Sequence, residues 1–186
     1  KIGILGDIGS GKSFVAKCFG YPVFNADREV SELYKSNRDI FKKLKKKIPK
    51  HISTFPIDKK QISIAILSNN SNLKKIVKII HKEVRQKMKL FLNKNKNKKI
   101  VILDIPLLLE NKINNKKDIL IFVQAKKIDI IKRLKMRSNI NFNLINKFKK
   151  IQLSLDYKKK KSKFIIKNNF TNKSVKKDIR YILKNI

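Results

Sequence analysis

Sulfur crosslinking is all but absent from this chain: Cys18 is the single cysteine in 186 residues, so no disulfide framework can form. Long apolar runs are missing too, and without roughly 18 consecutive apolar residues no membrane-spanning helix is expected. Acidic residues are scarce, 13 Asp and Glu against 48 Lys and Arg, for a formal charge of +35. The chain opens directly on an apolar strand pattern, which leaves no room for a leader peptide; the expected compartment is the cytoplasm.

Arginine is the next shortage. The basic residues are almost all lysine, and the arginines are Arg28, Arg38, Arg85, Arg133, Arg137 and Arg180. A surface selected to grip a phosphate backbone favours the planar, bidentate Arg fork, so this spread of Lys argues against a nucleic-acid footprint. The lysines keep company with Asn and Ile, as in KNKNKK and KKIVKII, which are the residues of A/T-rich codons. Under such a bias, a surviving Arg has a geometric task.

What is present is one domain's worth of alternating patterns. Residues 1–5 read as a buried strand, 12–19 as a helix and 22–24 as a second strand; from there to about 95 the apolar spacing is helical. KIVILDIPLLLE at 99–110 reads as a continuous strand interrupted by Pro106, and DILIFVQA at 118–125 as another, both apolar on two faces as central parallel strands are. Residues 128–136 read as a helix, 138–150 as a polar segment expected to be mobile, 164–166 as a last strand and 175–186 as a closing helix. The lysine tracts at 42–50, 94–99 and 158–163 read as solvated faces. Strands alternating with helices predict a parallel α/β sheet.

GDIGSGKS, residues 6–13, matches G-x-x-x-x-G-K-[ST] between the first strand and the first helix, the context in which that pattern cradles phosphate. Gly6, Gly9 and Gly11 let successive amides of Asp7, Ile8 and Ser10 turn inward, and the helix N-terminus at Lys12, Ser13 and Phe14 adds a favourable dipole. Lys12 reaches the β and γ phosphates, and the Ser13 hydroxyl completes a Mg²⁺ shell. Asp7 is an unexpected carboxylate in such a loop, and its side chain is expected to point outward. The loop identifies a user of nucleoside triphosphate. No N-K-x-D guanine signature follows, and the chain is too short for a helicase motor.

Transfer to an alcohol needs a carboxylate at the hydroxyl. Asp27, after the second strand, is either that base or the N-cap of a helix from Arg28. His81 and Arg85 lie four apart on one helical face, as do Arg133 and Arg137; each pair is an anion clamp or a solvated face. Asp104 is an outer Mg²⁺ carboxylate or simply the end of its strand.

Together these motifs resemble the dephospho-CoA kinase family along essentially the whole chain. GDIGSGKS is similar to G-G-I-G-S-G-K-[ST], with Asp7 replacing glycine. NAD at 25–27 resembles D-A-D, with Asn25 for the first Asp and Asp27 for the second; IIHKEVRQKM resembles L-H-P-x-I-R-x-x-M, with Lys82 for proline. DIPLLLEN matches Pro106, Leu107, Leu108 and Glu110 of x-x-P-L-L-[FIL]-E-x, KRLKMR supplies the R-x-x-x-R pair, and Gln152, Lys158, Ile166 and Asn168 fall on the final motif, where Ser162 and Lys163 replace Ala-Asp.

The resemblance implies ATP-dependent phosphorylation of the ribose 3′-hydroxyl of dephospho-CoA, with Mg²⁺ at Ser13, Asp27 as base and Lys12, Arg133 and Arg137 neutralising charge. Gly6–Phe14 and Asn168 would hold ATP, with Asn168 near the adenine; Asp27, His81, Arg85, Pro106, Leu107 and Glu110 would hold the acceptor. It implies a three-layer α/β/α P-loop kinase with a five-stranded parallel sheet: core 1–35, 96–137 and 158–186, helical acceptor-binding region 36–95, lid 138–157. The expected partners are ATP and dephospho-CoA, with no specific nucleic acid and no membrane, in a monomer or small homo-oligomer. The alternatives are another small P-loop kinase, a nucleotide-switched basic protein on nucleic acid, or a decayed family member.

Overall fold

The computed structural model describes residues 1–137 and 140–186. They divide into two compact units, one of residues 1–25, 95–141 and 148–186, the other of residues 26–94 and 142–147.

The first unit is built on a parallel sheet of five strands: β1 (Ile2–Gly6), β2 (Val23–Asn25), β3 (Ile102–Asp104), β4 (Ile119–Gln124) and β5 (Phe164–Lys167), in the order β2-β3-β1-β4-β5. β1 is buried along its whole length, as a central strand covered on both faces must be. Its register sets Ile2 against Ile102 and Ile119, and Gly6 against Val123. On one face lie α1 (Lys12–Cys18) and α9 (Asn172–Lys184), which bury Val15, Ala16, Val175, Ile179 and Ile182 against Ile2, Ile4, Ile121 and Val123. The positions 175, 179 and 182 form one apolar stripe of a 3.6-residue period. On the other face, Leu108 and Leu120 close over Gly3, where a Cβ would lie only 2.5 Å from Leu108 Cδ2. The helix α8 (Leu155–Lys161) packs there too, so the three layers expected from sequence are present. The unit also contains α6 (Lys127–Lys135).

The second unit is helical: α2 (Ala26–Ser36), α3 (Arg38–Lys47), α4 (Lys59–Ser68) and the long α5 (Asn70–Lys94), against which the other three pack. Asn37 caps α3 by accepting from Ile40 N at 2.9 Å, and Asp58 caps α4 by accepting from Lys60 N at 2.8 Å. Leu33, Ile40, Leu44, Ile66, Leu73, Ile76 and Ile80 form the buried interior. Residues 142–147 of α7 (Phe142–Ile151) belong to this unit, where Lys147 donates to the Ile66 carbonyl.

Three expectations are corrected. The strand read over 99–110 ends at Asp104, because Pro106 has no N–H for the ladder and residues 106–112 coil into turns, Asn111 N bonding Leu107 O at 3.1 Å. The polar segment read over 138–150 starts on Ser138 and Asn139, which lie outside the described residues, but from Phe142 onward it is helix. The lysine tract at 158–163 is not a wholly solvated face: Lys158 is 1% exposed. Among the described residues, no helix is long and apolar enough to cross a membrane.

Candidate active site

The loop between β1 and α1 sits at the C-terminal edge of the central strand, where parallel α/β sheets build their ligand sites. Gly11 is the N-cap of α1 in a left-handed conformation, φ 87°. A side chain there would also put Cβ 2.3 Å from Asn168 Nδ2, so both backbone and space demand glycine.

The loop holds its own donors. Asp7 Oδ1 accepts from the Ile8 amide at 2.7 Å, and the Asp7 carbonyl accepts from Ser10 N at 3.2 Å and from Lys12 Nζ at 2.8 Å. Lys12 also reaches the Gly6 carbonyl at 3.3 Å. The Asp7 side chain, only 19% exposed, therefore turns back onto its own loop instead of outward as expected, because the Ile8 amide is a nearby donor in need of an acceptor. Its Oδ2 faces Lys149 Nζ of α7 at 3.9 Å.

Beside the loop stand the ends of β2 and β3. Asn25 and Asp104 are register partners, and Asn25 Nδ2 donates to Asp104 Oδ2 at 2.5 Å and to the Ser13 hydroxyl at 3.4 Å. Asp104 is 3% exposed. Ser13, Asn25 and Asp104 thus offer hard oxygen atoms, the donor type that Mg²⁺ takes. Among the described residues no group of three or more His, Cys, Asp or Glu forms a metal cage.

On the opposite side of the loop, Asn168 is 3% exposed and engaged twice: its amide donates to the Ser10 carbonyl at 2.8 Å and its oxygen accepts from Phe170 N at 2.8 Å. It braces the phosphate loop against the turn after β5. Phe170, at φ 63°, lays its ring beside Gly11, and the Arg133 guanidinium stacks over that ring at 4.2 Å from its centroid. Phe170 was not foreseen as a site residue; its signal was an aromatic just past the end of a parallel strand, before a helix. Arg137 follows α6 and is exposed.

Pro106 and Leu107 lie half-buried in the turn after β3. Glu110, expected on the acceptor, is committed elsewhere: its Oε1 pairs with Lys158 Nζ at 2.8 Å and accepts from Leu153 N at 2.9 Å. Asn168, Glu110 and Lys158 hold the frame of this unit together.

In the helical unit, α2 starts at Ala26, so Asp27 lies inside its first turn and is not the N-cap of a helix from Arg28. A carboxylate there is favoured by the helix dipole, and the side chain is exposed. His81 and Arg85 share a face of α5; burial first, and then the neighbouring Arg85 charge, lower the His81 pKa. His81 is therefore neutral at pH 7 while Arg85 carries the positive charge.

A family model described as dephospho-CoA kinase matches residues 1–174. Over 190 aligned residues the chain is 34% identical to the dephospho-CoA kinase of Wolbachia pipientis wMel, covering 100% of this chain and 97% of that one. Among solved structures, a Thermus thermophilus protein superimposes with a TM-score of 0.76 at 25% identity, covering 100% of this chain and 96% of that one. Dephospho-CoA kinase from Campylobacter jejuni has the same fold, with a TM-score of 0.64 at 19% identity over 99% of this chain and 95% of that one.

Proposed function

The chain belongs to the dephospho-CoA kinase family, and we propose that it moves the γ-phosphoryl group of ATP to the ribose 3′-hydroxyl of dephospho-CoA, releasing ADP and coenzyme A. The observation that carries this is the phosphate loop on β1 and α1, set in a chain that matches the family from residue 1 to residue 174. Family membership favours this reading over a different small kinase or a nucleic-acid switch.

The bond between the γ-phosphorus and the β–γ bridging oxygen breaks, a bond from the 3′-oxygen to that phosphorus forms, and the hydroxyl proton passes to Asp27. Such a transfer is mostly positioning and charge neutralisation. The amides of Gly6–Ser13 receive the phosphates, and Lys12 leaves its loop carbonyls for the β and γ oxygens. Ser13 would hold Mg²⁺, with Asn25 and Asp104 ordering its surroundings, and the ion would supply charge neutralisation for the phosphates. Asp27, an exposed carboxylate, orients the hydroxyl and takes its proton. Arg85 supplies charge for the acceptor's anionic groups, and neutral His81 a hydrogen bond. Arg137 and Arg133 add positive charge at the transferring group, Arg133 by leaving its stack on Phe170.

The test is ADP release by the purified protein with ATP, Mg²⁺ and dephospho-CoA, with coenzyme A verified as product, beside Asp27→Asn. Loss of the base lowers kcat by roughly 10²–10⁴. ADP release indifferent to dephospho-CoA would refute the assignment of acceptor.

A further inference from the structure

We propose that Asp7 makes the phosphate loop discriminate against free nucleotide and in favour of its metal complex, by keeping a carboxylate among the amides that receive phosphate. This rests on the reading that the loop binds ATP.

Residue 7 is the hub of the loop. Its carboxylate takes the Ile8 amide at 2.7 Å, and its carbonyl takes Ser10 N and Lys12 Nζ. A phosphate entering the loop therefore competes with a resident anion for the Ile8 donor. The hydrogen bond it displaces is charge-assisted, the stronger kind. Compensation for the resident charge is weak. The Lys149 ammonium stands 3.9 Å from Oδ2 on a side chain that is 46% exposed, and an ion pair so placed contributes little.

The carboxylate can leave the amide only by rotating, and it stays tethered beside the loop. Its repulsion then scales with the charge of the nucleotide. Bound Mg²⁺ cancels two of the negative charges of ATP, so free ATP meets much more repulsion than the complex does. A loop with an uncharged residue at this position lacks that difference.

The experiment is isothermal titration of the wild-type chain and of Asp7→Asn with ATP, once with Mg²⁺ and once with a chelator. Asparagine keeps an acceptor for the Ile8 amide and removes the charge. The expected result is that the ratio of the two dissociation constants, chelator over Mg²⁺, falls at least about tenfold in the variant, chiefly because free ATP binds it more tightly. Normal binding with the same ratio in wild type and Asp7→Asn overturns the proposal. No binding of ATP by the wild-type chain in either condition overturns the reading of the loop itself, a distinct outcome. Thermal melts monitor folding, and Asp7→Ser, which also retains an oxygen acceptor, replaces Asp7→Asn if that variant melts early.

Discussion

Asn25 and Asp104, the last residues of two neighbouring parallel strands, are joined through Nδ2 and Oδ2 at 2.5 Å. An amide opposite a carboxylate makes this edge of the sheet self-sufficient: Asp104 has a donor whether or not a cation is nearby. Two carboxylates in the same register would repel one another until a proton or a metal ion intervened.

Asn25→Asp should therefore turn an indifferent edge into a metal-dependent one. In chelator its stability should fall by about 1–3 kcal/mol, the scale of a lost hydrogen bond that leaves a buried acceptor unpaired. Added Mg²⁺ should raise its melting temperature by more than it raises that of the wild type. Paired thermal melts read both changes, and an equal Mg²⁺ response in the two proteins would contradict this account of the edge.

The Glu110–Lys158 pair is buried, with Lys158 1% exposed, and Glu110 Oε1 also holds Leu153 N. Removing one partner strands the other. Lys158→Met should cost roughly 3–5 kcal/mol, whereas the double variant Glu110→Gln, Lys158→Met should recover much of that loss. Urea unfolding of the two singles and the double closes the cycle, and strictly additive effects would argue that the pair is incidental.

His81 links stability to acidity. Its pKa is lowered in the folded chain by burial and then by Arg85, so between its folded value and the ordinary value near 6.5 the unfolded chain binds more protons. The stability from holding the ring neutral is fully present above about pH 6.5 and is lost as the pH falls through that value toward the folded pKa. His81→Asn should melt with a flatter pH dependence between about pH 7.5 and 5 than the wild type. A parallel pair of curves would assign the acid sensitivity to other groups.

The phosphate loop and β1 were legible because both carry dense local signals: an unbroken apolar run, then glycines at fixed spacing before a Lys-Ser pair. The sheet order was not legible, since an apolar strand states that it is buried and not beside which neighbour. β3 was overread because Ile105 and Leu107–Leu109 are as apolar in a turn as in a strand. Lys158 was misread for a different reason: four consecutive lysines look uniformly solvated, and only the fold reveals which one meets Glu110. Asn168 was expected near the adenine of ATP, and its bonds to Ser10 and Phe170 depend on β5 lying beside β4, a relationship no local window contains. Asp7 was noticed and its direction mistaken, because the pull of a single backbone amide outweighs the preference of an isolated carboxylate for water.

The register that pairs Ile2 with Ile102 and Ile119 also imposes a timetable on synthesis. Of the five strands β1 leaves the ribosome first, yet both of its neighbours are encoded about a hundred residues later. At about 5–20 residues per second that strand waits on the order of 5–20 s with apolar faces and edges unmatched. The segment from Ala26 to Lys94, whose helices find their partners among themselves, can fold in that interval. The nucleotide loop, which follows β1 directly, is consequently among the last parts of the enzyme to acquire its shape.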